Sequence, residues 1–525
     1  MQYINSFNNN TSKLFLIYFV NYVFYLINYQ GIYWDDWTLY NMPTESMLSQ
    51  FKMNGFLPAG YLHSILLSVG NGVFIYRLLS FIAFFLSGIF IYKVLKQHIF
   101  VMQNNAFWIV LAYLTIPVNS AKLALINVPY TLLLFSFFAA FYLLTEYISK
   151  KKTIVHRAFI LLLFFMSFFM NSLLVFYTMV LLYLLYSTII DPEFKKSSEK
   201  TFYLVKNFIF KYLDFIFLPI IFYIFKNIYF MPNGLYANYN KINFDLEKNT
   251  TLIIDSIKTS IYDPILSSIY TSFDHWYFTI IIAIFISILV YKKNYISKSY
   301  FFYILVFSLG MYFYFLAVFP YAVVNKLPQL AGFESRHQIL MPLGIAFIIY
   351  ALTFFLAKIH KNISILIFSI LITLFTIQNI YNGYRYLKDW YYQISLEENF
   401  KSSATIKSHT TFIVYIHSED AFANGREPGF YEQNGRLKKV FGNDKRLMVK
   451  RSKDIEIYKK YKNYKQYGFS SWEYEKPINI IISDNHMFKN QTLYFLKMLY
   501  YQINNKQVFR TMAKELITIK TEDRF

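Results

Sequence analysis

The chain of 525 residues is 56% apolar and 22% aromatic but only 15% charged, whereas a soluble domain is roughly a quarter charged, so a soluble globule is excluded. Its 51 Lys+Arg against 30 Asp+Glu give +21, yet these cations stand between long apolar runs and form no continuous face, which fits membrane lipids as partners and no nucleic acid. Cys is absent, which rules out disulfides, thiol chemistry and Cys-ligated centres.

An apolar run of about 20 residues crosses roughly 30 Å of hydrocarbon as a helix. Eleven spans are expected, at 14–29, 73–92, 106–118, 128–147, 158–170, 173–190, 206–230, 276–291, 300–319, 339–357 and 362–381. The first lacks a small-residue cleavage site and reads as a retained helix with its N-terminus inside. Hairpins at 119–127 and at Asn171-Ser172 divide stretches too long for one crossing. Charge supports that division. Lys93 and Lys96, then Lys150, Lys151, Lys152 and Arg157, then Lys195, Lys196 and Lys200 all fall in inside loops. Lys292, Lys293 and Lys298, and finally Lys358 and Lys361, continue the series. The outer loop 231–275 carries Asp245, Glu247, Asp255, Asp263 and Asp274 against three lysines, as the positive-inside rule requires of the opposite face.

From about Asn382 the apolar runs shorten, and 382–525 holds 25 Lys+Arg against 16 Asp+Glu. Short β-rich runs at Thr411–His417 and 478–483 alternate with a helical pattern at 491–505, where Leu493, Leu496, Leu499, Tyr500 and Ile503 recur at helical spacing. The expected fold is an all-α polytopic membrane bundle of about eleven transmembrane helices, 1–381, with outer loops 30–72, 231–275 and 320–338. A small soluble α/β domain, 382–525, follows on the outer face. Usage rich in Phe, Ile, Tyr, Asn and Lys is that of an AT-rich bacterial genome, which points to the bacterial inner membrane.

Two short outer segments could carry chemistry. Directly after the first span stands Tyr33-Trp34-Asp35-Asp36-Trp37. Neighbouring carboxylates beside an apolar wall repel each other and lose hydration, which raises at least one pKa toward the range of a general base; Trp34 and Trp37 also suit an interfacial aromatic belt. The sequence leaves open which of Asp35 and Asp36 is the base. A divalent cation on the pair suits carboxylate chemistry, but a full oxygen-ligand set cannot be assembled. The second segment is Gly332-Phe333-Glu334-Ser335-Arg336-His337 on the same expected face. Arg336 offers a permanent, bidentate cation to a leaving phosphate, with Glu334 as its surface partner and His337 as a further donor; the alternative for Arg336 is snorkelling to lipid headgroups. His63 before the second span and Lys326 share this face, and each also has a structural reading. Asp274-His275-Trp276 reads as a capped, interface-anchored helix start.

A long polytopic chain whose first outer loop carries Trp34-Asp35-Asp36-Trp37 and which ends in a soluble domain resembles the GT-C superfamily of membrane glycosyltransferases. The resemblance implies a polyprenyl-phosphate sugar donor, a cell-envelope glycan or glycolipid acceptor, an extracytoplasmic site, inversion at the sugar carbon, and one acid of the pair acting on the acceptor hydroxyl. The Trp-Trp-Asp triplet of the oligosaccharyltransferase branch is absent, which disfavours whole-glycan transfer to Asn. The other readings are a lipid-linked sugar transporter or flippase, an O-antigen polymerase or ligase, and a membrane scaffold.

Overall fold

A computed structural model of the chain describes residues 2–40, 42–99, 102–150, 153–190, 200–290, 298–356, 361–417, 421–461, 471–485 and 492–522. Of the inside-loop cations, Lys151, Lys152, Lys195, Lys196, Lys292, Lys293 and Lys358 lie outside these.

The protein is mostly helical. Every one of the eleven expected segments falls on a helix, but not every one is long and apolar enough to cross, and the first helix, Gln2–Ile27, does not qualify. Six helices among the described residues have the length and apolarity of a span: Gly72–His98, Leu125–Lys150, Ser172–Ile189, Phe208–Tyr229, Tyr300–Ala322 and Asn362–Ser402. A seventh would be the pair Leu246–Asp274 and Trp276–Val290, bent by 112°. Ala106–Thr115, Ile154–Ser167 and Met341–Phe355 are apolar but short; at 1.5 Å per residue they reach about 15 to 22 Å. Two of them explain their own shortness by position. All ten residues of Ala106–Thr115 are buried, and Met341–Phe355 is buried along nearly its whole length. Inside the bundle, irregular backbone can continue a path through the membrane because protein shelters its polar groups from lipid.

Packing within the bundle is aromatic and close. Tyr18 of the first helix, Gln2–Ile27, meets Phe81 at 4.7 Å, and Tyr22 stacks on Tyr25. Tyr300–Ala322 and Met341–Phe355 touch backbone to backbone where Gly344 faces Tyr314: a Cβ on Gly344 would lie 2.5 Å from the Tyr314 nitrogen. Small residues permit such approach between helices that lipid does not push together. Outward, Ile220, Ile221, Ile224 and Ile228 form an exposed stripe on Phe208–Tyr229, as a lipid-facing surface requires.

The last helix of the bundle runs unbroken from Lys361 to Ser402, about 63 Å by its rise. The change of composition at Asn382 therefore falls inside one rigid rod, whose outer half becomes the spine of the tail. Four strands complete the tail: β1 (Thr411–His417), β2 (Leu447–Val449), β3 (Ile478–Asp484) and β4 (Ile517–Glu522). Their order is β2-β1-β3-β4, with β1 parallel to both neighbours and β4 antiparallel to β3. The first four residues of β1 are all buried, the continuous apolar run of a strand covered on both faces.

The Trp34 amide donates to Glu432 Oε1 at 3.0 Å, so the first loop and the tail pack against each other.

Candidate functional site

The two adjacent carboxylates have different surroundings. Asp36 is fully buried, and both its oxygens accept backbone amides: Oδ2 from Leu125 at 2.8 Å and from Tyr33 at 3.4 Å, Oδ1 from Ile126 at 3.0 Å. Leu125 opens the helical run Leu125–Lys150. The first amides of a helix have no acceptor within it, and its positive end favours a carboxylate. Asp36 thus caps a helix almost 90 residues away. Burial pushes its carboxyl up to about 7, against the pull of those amides and of Arg77. N–H groups thus meet both Asp36 oxygens. Among the described residues no group of three or more His, Asp or Glu is arranged to hold a metal.

Asp35 is half-buried, and its carboxylate has no hydrogen bond among the described residues. Burial raises its pKa; Arg336 pulls it down, and Glu432 and Glu334 push it up again, with a net rise. The residue before it supplies the geometry. Trp34 has φ +51°, a left-handed conformation that costs a bulky residue on the order of 1–3 kcal/mol. Glu432 holds it there through the Trp34 amide. Glu432 in turn accepts two bonds of 2.7 Å from Arg426 and one from the Gly429 amide. Arg426 also forms a two-pronged pair with buried Asp389 at 2.7 and 2.9 Å. Burial alone would raise the Glu432 pKa, but Arg426, Arg436 and the Gly429 amide outweigh it and hold the carboxyl below its usual range. The tail therefore fixes the turn from which Asp35 projects.

The segment Phe333–Gln338 arrives from the other side. Ser335 Oγ accepts from the Ala121 amide at 2.9 Å and pairs with Ser120 at 3.0 Å, and Gln338 Oε1 accepts from the Asn119 amide at 3.2 Å. Residues 119–127, expected as a hairpin turn, thus bind Asp36 at one end and Ser335 and Gln338 at the other, uniting both sequence motifs. The Trp34 ring packs on Phe333 at 5.7 Å, and the Arg336 guanidinium lies 3.7 Å over that same ring. Arg336 donates to Glu334 at 3.3 Å and to the Tyr239 hydroxyl at 3.2 Å, and its Nε to His337 Nε2 at 3.5 Å. Burial, reinforced by Arg336 and Lys326, pushes His337 down to about 3, so the imidazole is neutral and accepts from Arg336. Lys326 also meets Tyr239, its Nζ 3.7 Å from the ring centroid and bonded to Asn240 at 2.6 Å. Burial lowers this ammonium to about 8, with Arg336 adding to the effect.

Two expected site residues face elsewhere. His63 is buried, bonded through Nδ1 to the Tyr76 hydroxyl at 2.7 Å and packed on Phe51 at 5.0 Å; burial lowers it to about 3. None of these contacts is with Asp35, Arg336 or Glu334. Its place is the core beneath the outer loop, where an aromatic wall excludes the water a charged ring needs. Trp37 turns into the tail: a Cβ on Gly435 would come within 2.9 Å of its ring, and Arg436 and Lys439 lie about it at 5.5 and 5.6 Å.

Sequence reasoning missed Tyr239, Asp389, Arg426 and Glu432. Only Glu432 left a trace, three residues after Gly429 as in a helix-opening motif, and that trace announced a helix start, not a partner for the first loop. No protein family, characterised protein or solved structure matches the chain.

Proposed function

We propose that the protein is a GT-C type glycosyltransferase of eleven spans in the bacterial inner membrane. It would move a sugar from a polyprenyl phosphate to an envelope glycan or glycolipid on the extracytoplasmic side. The observation that supports this best is the unbonded, half-buried Asp35 carboxylate beside Arg336, where four chain segments converge at one end of the bundle. In this reading the donor phosphate takes the place of Glu334 on Arg336, with Lys326 as the second cation. Asp35 removes the proton of the acceptor hydroxyl, whose oxygen attacks the anomeric carbon. The bond to phosphate oxygen breaks, and polyprenyl phosphate leaves with the electron pair, its charge met by Arg336 and Lys326. Neutral His337 orients Arg336, and Asp36 holds the scaffold without reacting.

The test is release of polyprenyl phosphate by purified protein from a panel of polyprenyl-phosphate sugars with extracted envelope lipids. Asp35→Asn is expected to slow release by roughly 10²- to 10⁴-fold, while folded Asp36→Asn retains it. Undiminished release by Asp35→Asn would remove the base assignment. Donor binding without turnover in any acceptor mixture would replace the enzyme with a lipid-linked sugar transporter.

A further inference from the structure

The tail helix Thr492–Asn504 has two apolar faces where a domain-surface helix needs one. Phe495 and Met498 are buried with Gln502 on the inner face. Leu493, Leu496, Tyr500 and Ile503 are 66, 56, 61 and 72% exposed, and their spacing puts all four on one stripe of the opposite face. Exposed Lys497 stands at the edge of that stripe. Elsewhere among the described residues of the tail, exposed large apolar side chains occur singly.

The position of this helix says what covers the stripe. Phe495 packs on Tyr384 at 6.3 Å and on Tyr391 at 6.1 Å of the long helix, with Lys388 between them 5.7 Å from its ring. Tyr384 is shared: its ring also meets Phe24, at 6.3 Å, in the last turn of the first helix. Three residues earlier Tyr381 meets His275 at 5.2 Å, at the head of the apolar helix Trp276–Val290. The tail helix is thus seated within about 15 Å, along the long helix, of the ends of two apolar helices, next to a headgroup layer that extends roughly 5–8 Å beyond the hydrocarbon. The tail carries 25 Lys+Arg against 16 Asp+Glu, a balance of +9 that complements anionic lipid. An apolar stripe edged by a cation at that depth is the arrangement of an in-plane membrane helix.

We propose that Thr492–Asn504 docks the tail on the bilayer, with Leu493, Leu496, Tyr500 and Ile503 in the acyl boundary and Lys497 among the headgroups. This inference does not depend on the proposed enzymatic activity. Because the chain has no Cys, one introduced thiol is a unique label site. Leu496→Cys, Ile503→Cys and, as the exposed reference, Lys453→Cys would each carry an environment-sensitive fluorophore in the full-length protein. Each would be placed at one chain per nanodisc in phosphatidylethanolamine with phosphatidylglycerol. Blue-shifted emission at 496 and 503, quenched by nitroxide on the lipid chains and absent at 453, is the expected result. Emission at 496 and 503 as red and unquenched as at 453 would overturn the proposal. A blue shift that appears only with rising protein concentration and ignores the lipid nitroxide would also overturn it, assigning the stripe to a second copy.

Discussion

Two carboxylates next to each other in sequence have unlike partners. Asp36 accepts three backbone amides, and an amide side chain in its place would aim an N–H group at an N–H group. Asp36→Asn is therefore expected to cost roughly 1–3 kcal/mol of stability, read as a lower unfolding temperature in detergent. Unchanged stability would mean that the cap contributes nothing. The pH profile belongs to the other side of the site. A base works deprotonated, so kcat/KM should fall on acidification through the Asp35 pKa, which burial raises. Lys326 binds phosphate as a cation, so kcat/KM should also fall as pH rises through about 8. Lys326→Met should lower donor use and erase that alkaline limb, and a limb unchanged in the variant would assign it to another group. His337, lowered to about 3, contributes no limb near neutrality.

Among the elements, the junction between first loop and tail is the least tolerant of added volume. Trp37 lies in a slot whose floor is Gly435, and a Cβ there would meet Trp37 ring atoms at 2.9 and 3.3 Å and the Trp37 Cβ at 3.0 Å. Overpacking of this kind costs about 1–3 kcal/mol. Gly435→Ala should lower the unfolding temperature and, by shifting Glu432 on the same helix Phe430–Phe441, loosen its hold on Trp34 and reduce transfer. An unaffected rate at reduced stability would show that the junction holds the domain without aiming Asp35.

For the whole molecule, the Trp34–Glu432 bond joins first loop and tail, and the proposed topology puts both on the exterior. A thiol at Lys453→Cys should accordingly react with an impermeant reagent in intact spheroplasts. Reaction only after lysis would reverse the orientation of the entire protein. Ser418, the other natural site for such a label, lies outside the described residues.

The sequence by itself determined what depends on local chain chemistry. Apolar run length located the helices, and β-branched runs located β1 and β3, since hydrocarbon thickness and side-chain period act on contiguous residues. It also singled out both outer motifs, because carboxylates and an Arg among aromatics are conspicuous in an apolar chain. Tertiary structure decided which expected segments have spanning length, because Ala106–Thr115 and Met341–Phe355 are short where neighbours shelter the backbone. It decided the surroundings of Asp35 and Asp36 through amides at Leu125 and Ile126 and a carboxylate at Glu432. It likewise turned Leu493, Leu496, Tyr500 and Ile503 outward although their spacing was legible as a helix. Periodicity marks a face but not what the face meets, and a buried charge takes its character from groups that only folding brings beside it.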